Sequence, residues 1–82
     1  MEVALSEKAK RDYKRLPKFA ISKIEKKLEF ISQNPYSGKK LGGELGNFWS
    51  LRLWPYRIIY EINKKKKLVE ILKIILRQSA YN

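Results

Sequence analysis

Apolar and polar residues alternate over Phe48–Leu53 and again over Tyr56–Ile62, with Trp54-Pro55 between the two runs. Alternation with a period of two predicts a pair of half-buried strands joined by a tight turn. One face of this pair is aromatic and aliphatic, and the other carries Arg52 and Arg57. Leu68 to Ile75 is β-branched and apolar enough for a central strand, and Asn63-Lys64-Lys65-Lys66 ahead of it reads as a polar turn. Glu2-Val3-Ala4-Leu5 suits a short first strand. Ser6 follows as a helix N-cap, with Glu7 at the positive end of the helix dipole, and Ala9, Tyr13 and Leu16 share a face at helical spacing. Pro17, whose fixed φ fits a first helical turn, opens a second helix. Its apolar stripe is read as Phe19, Ile21, Ile24, Leu28 and Ile31, with Lys18, Lys23, Lys26, Lys27 and Glu29 on other faces. Asn34-Pro35 ends that helix, and residues 35–47, rich in Gly, Lys, Ser and Asn, are expected to form a loop. The predicted order is β-α-α-β-β-β, an α+β layer in which a helix hairpin covers one face of a small, mainly antiparallel sheet.

Length and charge narrow the function. A chain of 82 residues is enough for one domain spanning 1–82 and leaves little apolar area to spare. Nineteen Lys and Arg against eight Asp and Glu give a net charge of +11. An excess of that size on so small a body favours a polyanionic partner, either nucleic acid or an acidic protein. The sequence has no cysteine and no histidine. Thiol nucleophiles, disulfides, Cys- or His-ligated metal and His-based acid–base catalysis are therefore excluded, and no metal or cofactor is expected. No apolar run approaches the roughly 18–20 residues of a membrane span, and the start lacks the pattern of a signal peptide, so a cytoplasmic protein without a membrane partner is expected.

Arginines fixed on strands can present paired N–H donors to a phosphate in a set geometry. Arg52 and Arg57 are therefore the first candidate ligands for RNA, and each can also be read as a solvated strand residue or an anchor for an acidic partner. Trp54, beside the turn, is the best candidate for an exposed base-stacking side chain, whereas Trp49 and Tyr60 fit the core. Glu44 and Lys64 to Lys67 are read as solvent-facing.

Leu45-Gly46-Asn47-Phe48-Trp49-Ser50-Leu51-Arg52 is followed by Tyr56-Arg57-Ile58-Ile59-Tyr60-Glu61, and Arg77-Gln78-Ser79-Ala80-Tyr81 stands near the end. With the Asn34-Pro35 stop, these motifs make the chain resemble the RelE/ParE superfamily of toxins from type II toxin–antitoxin systems. The resemblance implies one of two activities. RelE-like members are ribosome-dependent endoribonucleases that cut mRNA in the A site, and ParE-like members are non-catalytic inhibitors of DNA gyrase. A degenerate homologue kept as an antitoxin-binding partner is a third expectation. The implied partners are a cognate antitoxin with either the ribosome and mRNA or gyrase, and the free toxin is expected to be a monomer. Carried over by position, the RelE-like site is Arg57, Arg77 and Tyr81, with Arg52 and Trp54 as RNA-binding residues. Arg57, assisted by Arg77, would stabilise the phosphorane, Arg52 would hold a neighbouring phosphate, and Tyr81 would act as general base. Arginine cannot readily take a proton, its pKa lying above about 12, while neighbouring cations favour a phenolate. The chain departs from the pattern at Ser50, where several active members have a basic residue, and at Ile75-Leu76, where many have Gly followed by His or another polar residue.

Overall fold

A computed structural model describes residues 1–41 and 48–76. Among these the element order is β1 (Glu2–Leu5), α1 (Glu7–Lys14), α2 (Lys18–Gln33), β2 (Lys39–Lys40), β3 (Phe48–Leu53), β4 (Tyr56–Asn63) and β5 (Leu68–Leu76). The strands form one sheet in the order β1-β5-β4-β3-β2. Only β1 runs parallel to its neighbour, β5; the other pairings are antiparallel. The layered α+β arrangement is the one expected from the residue pattern. Two local expectations change. The stretch 35–47 is not wholly loop, because Lys39 and Lys40 pair with Ser50 and Trp49 as a short edge strand. Phe19 is not a core residue: it is 65% exposed, and the buried stripe of α2 is Ala20, Ile24 and Ile31, with Leu28 packed against it.

Hydrogen bonds close the ends of both helices and tie the first to the sheet. Ser6 Oγ accepts from the backbone N–H of Ala9 at 3.1 Å and donates to the carbonyl of Leu72 at 2.9 Å. One hydroxyl thus caps α1 and pins it to β5. Pro17 stands just ahead of α2, its carbonyl accepting from Ala20 and Ile21. Asn34 closes α2 with its N–H on the carbonyl of Phe30 at 2.8 Å. Tyr13 Oη, on α1, donates to Glu25 of α2 at 2.5 Å.

Alternation sorts β4 cleanly. Tyr56, Ile58, Tyr60 and Ile62 enter the core beneath the helices, so Arg57, Ile59 and Glu61 point to the opposite, open face. In β5 the core residues are Val69, Ile71 and Ile74, a spacing that strict alternation forbids. The structure resolves this with a register shift: Tyr60 faces Ile71, but Ile59 faces Lys73. Leu72 is the extra residue of a β-bulge, which returns Ile74 to the core side.

Candidate nucleic-acid interface

The β3–β4 register places Arg52 directly opposite Arg57. Both lie on the open face, Arg52 exposed and Arg57 half-buried. Like charges facing each other across a ladder repel, and an anion seated between them relieves that repulsion while accepting two guanidinium forks. No carboxylate among the described residues lies within ion-pair distance of Arg52. The arginines line one side of a cleft of about 270 Å³, whose other walls are Ser37, Gly38, Lys39, Leu41, Ser50 and Leu51. Pockets for drug-sized ligands run from about 300 to about 1,000 Å³, so this one suits a phosphodiester segment better than a large heterocyclic ligand.

The cleft wall is set by close packing. Tyr60 Oη donates to the carbonyl of Pro35 at 2.9 Å and accepts from the N–H of Gly38 at 3.3 Å. A Cβ at Gly38 would lie 2.6 Å from that hydroxyl and 2.7 Å from the carbonyl oxygen of Ser50. Burial pushes the Tyr60 hydroxyl above the usual tyrosine range, so it serves as a neutral strut rather than a proton acceptor. Trp49 stacks on Tyr60 with centroids 6.5 Å apart, and Tyr36 meets Trp49 edge-on at 5.5 Å. Trp49 and Tyr60 therefore belong to the framework, as their alternation implied. Trp54 is 60% exposed at the β3–β4 turn, on the same end of the sheet as the arginine pair.

The structure thus brings Arg52, Arg57 and Trp54 to one end of the sheet. Arg77, Tyr81 and Glu44 lie outside the described residues. Lys39 is the cleft residue that sequence reasoning missed. Its place beside Ser50 comes from a pairing between segments about ten residues apart, and nothing local in Gly38-Lys39-Lys40 announces it. The two departures at 75 and 76 also separate. Ile75 is the cross-strand neighbour of Arg57 on the open face. Leu76 faces the other way, into a second groove.

That second groove, about 260 Å³, runs between α1 and the end of β5 and is lined by Asp12, Arg15, Leu16, Tyr56, Ile74, Ile75 and Leu76. Asp12 holds its floor, accepting from the N–H of Ile74 at 3.0 Å and from Lys8 at 2.8 Å. Burial alone would raise the Asp12 pKa; the hydrogen bonds from Lys8 and Ile74 and the charges of Lys8 and Arg15 outweigh it and leave the carboxyl below its usual value.

Comparison with known proteins places this helix hairpin and sheet among the toxins of type II toxin–antitoxin systems. The family model described as "ParE toxin of type II toxin-antitoxin system, parDE" matches residues 3–81. Toxin RelE of Mycobacterium tuberculosis is 36% identical over 81 residues, which is 96% of this chain and 84% of that protein. Among solved structures, the RelBE2 toxin–antitoxin complex from M. tuberculosis superposes with a TM-score of 0.83 at 29% identity, covering 93% of this chain and 96% of that one. The archaeal RelE–RelB complex from Pyrococcus horikoshii gives 0.81 at 26% identity, covering 93% of each chain. The isolated E. coli RelE toxin shares the fold at a TM-score of 0.80 and 20% identity, over 92% of this chain and 82% of that one. The chain belongs to the RelE/ParE family of type II toxin–antitoxin toxins.

Proposed function

We propose that this toxin is an endoribonuclease of the RelE kind, cutting mRNA in the ribosomal A site and held inactive by a cognate antitoxin. The observation that carries this reading is the direct opposition of Arg52 and Arg57 across β3 and β4, on the rim of a cleft sized for phosphodiester. Transesterification needs a base at the 2′-OH, stabilisation of the phosphorane and a proton for the 5′-oxygen. Arg57 supplies N–H donors to the phosphorane with Arg77, and Arg52 holds the neighbouring phosphate. Tyr81, as the phenolate, takes the 2′-OH proton; the 2′-oxygen then attacks phosphorus to form a 2′,3′-cyclic phosphate as the P–O5′ bond breaks, and the 5′-oxygen takes its proton from water. Trp54 offers an exposed indole on which a base can stack.

The groove between α1 and β5 is the proposed seat of an antitoxin helix or strand, filled by groove docking or strand addition. Relatives solved as RelBE2 and as RelE–RelB complexes support an antitoxin partner. The test is cleavage of A-site mRNA by purified toxin on programmed ribosomes. Arg57→Ala should cost about 10²–10³ in rate, the usual loss for one oxyanion donor, and Tyr81→Phe about 10²–10⁴, the usual range for a general base. Uncut mRNA, or cutting by both variants at the wild-type rate, sinks the reading.

One observation favours a second reading, a non-catalytic gyrase inhibitor of the ParE kind. On the β5 side, the cross-strand neighbour of Arg57 is the aliphatic Ile75, which can neither donate nor accept a proton. A supercoiling assay decides it: unimpaired gyrase at high toxin concentration removes this alternative.

A further inference from the structure

The arginine pair accounts for one phosphate, and the cleft holds a third cation. Lys39 faces Ser50 in the β2–β3 register, so its side chain leaves the sheet on the same face as Ser50 and Arg52. Ser50 lies two residues before Arg52 on β3, which makes Lys39 and Arg52 diagonal neighbours. Such positions are roughly 7–8 Å apart, within reach of long side chains. The backbone leading into Lys39 is held by the hydrogen bond from the Gly38 N–H to Tyr60 Oη and by the β2–β3 pairing. No carboxylate among the described residues lies within ion-pair distance of Lys39.

Other polar groups on that wall are already engaged. Ser37 Oγ donates its proton to the carbonyl of Asn34 at 2.7 Å, and the Gly38 N–H points at Tyr60 Oη. The Lys39 ammonium is therefore the group on the β2 side of the cleft with donors to give. A phosphodiester carries one negative charge, and two opposed arginines already outnumber it. A third cation one strand away has no work to do on that same phosphate, but it lies where the next one along the strand would pass. Lysine acts as a compact point charge without a fork to align, which suits a phosphate that must be held rather than transformed.

We propose that Lys39 forms a second phosphate subsite, so that the cleft grips two consecutive phosphates of one nucleic-acid strand. This deepens the RNA reading above and rests on it. Lys40 is the internal control: it carries the same charge one residue on, but pairs with Trp49 and leaves the sheet on the opposite face.

The experiment measures binding of a short 2′-O-methyl oligouridine, which cannot be cut, by the full-length toxin and by the Lys39→Gln, Lys40→Gln, Lys39→Arg and Arg57→Ala variants across a salt series. Each phosphate contact on a single strand contributes a slope of about −0.7 to log affinity against log salt, so the affinity ratio between about 50 and about 200 mM salt should shrink by about 2.6-fold in Lys39→Gln. Lys40→Gln should retain the wild-type slope, and Lys39→Arg should restore it. Equal losses in the two glutamine variants, or an unchanged slope in Lys39→Gln while Arg57→Ala binds poorly, would overturn the subsite and leave the RNA reading standing. Absence of binding by the wild-type toxin also overturns the subsite, while the RNA reading stands or falls on cleavage of A-site mRNA.

Discussion

Gly38 has no room for a side chain, and the cleft depends on that. A methyl group there would sit 2.6 Å from Tyr60 Oη and 2.7 Å from the Ser50 carbonyl, inside van der Waals contact with a buried ring and with sheet backbone. Neither can retreat without disturbing the β2–β3 pairing. Gly38→Ala should therefore cost about 1–3 kcal/mol, the usual range for overpacking, read as a lower urea midpoint. The contacts also predict a coupling. Tyr60→Phe alone loses the hydrogen bond to Pro35, but it removes the atom nearest the new methyl. The double variant should then be more stable than the sum of the two single losses implies. Strict additivity would mean that the Tyr60 hydroxyl does not define the space at Gly38. At this scale the sequence was informative wherever alternation applied. Arg52 and Arg57 share a face because they occupy matched positions in two alternating runs. Lys39 was illegible because its neighbours are set by a two-residue strand whose partner is chosen in three dimensions.

Five elements were legible for local reasons: an N-cap at Ser6, a stop at Asn34-Pro35, period-two runs at Phe48 and Tyr56, and a β-branched apolar run from Leu68. Less legible was what happens to β5 where β1 ends. β1 pairs with Leu68–Ile71 only, and beyond that the edge of β5 is completed by side chains of the first helix and its cap. Ser6 Oγ reaches the Leu72 carbonyl, and Asp12 accepts from the Ile74 N–H. These backbone groups of Leu72 and Ile74 are satisfied from within the chain. Asp12→Ala should cost about 1–3 kcal/mol by leaving that N–H without an acceptor, whereas Asp12→Asn keeps an acceptor and should lose less. The same contact has a pH signature. The Asp12 carboxyl titrates below its ordinary value of 3.8 in the folded chain. Its stabilising contribution is therefore complete above the unfolded value and is lost as pH falls through the lower, folded one. Chemical denaturation at a series of pH values should show the wild type converging on Asp12→Asn below about pH 3.8. A constant gap between the two would show that the carboxylate charge does not support β5.

For the whole molecule, charge sets both the partner and the working conditions. A net charge of +11 is spread over a body measuring 34 × 27 × 22 Å. The screening length is about 30 Å at 0.01 M salt and about 10 Å at 0.1 M. At the lower salt each cation feels nearly every other across the molecule; at the higher it feels only its neighbours. Melting temperature should therefore rise between these two salt concentrations and change little beyond, as long-range self-repulsion is screened first. Arg52 and Arg57 sit directly opposite each other on adjacent strands, closer than either screening length, so an anion bound between them is screened least. A ligand that enters the cleft should therefore stabilise further at 0.1 M salt, where sodium chloride no longer does. Pyrophosphate is the suitable probe, with stabilisation that grows with its concentration relative to its dissociation constant. Arg57→Gln should lose the pyrophosphate increment while keeping the sodium chloride response, since it changes the total charge by only one. If pyrophosphate and sodium chloride at matched ionic strength raised the melting temperature equally, in wild type and variant alike, the arginine pair would be part of a diffuse positive surface and not a phosphate site.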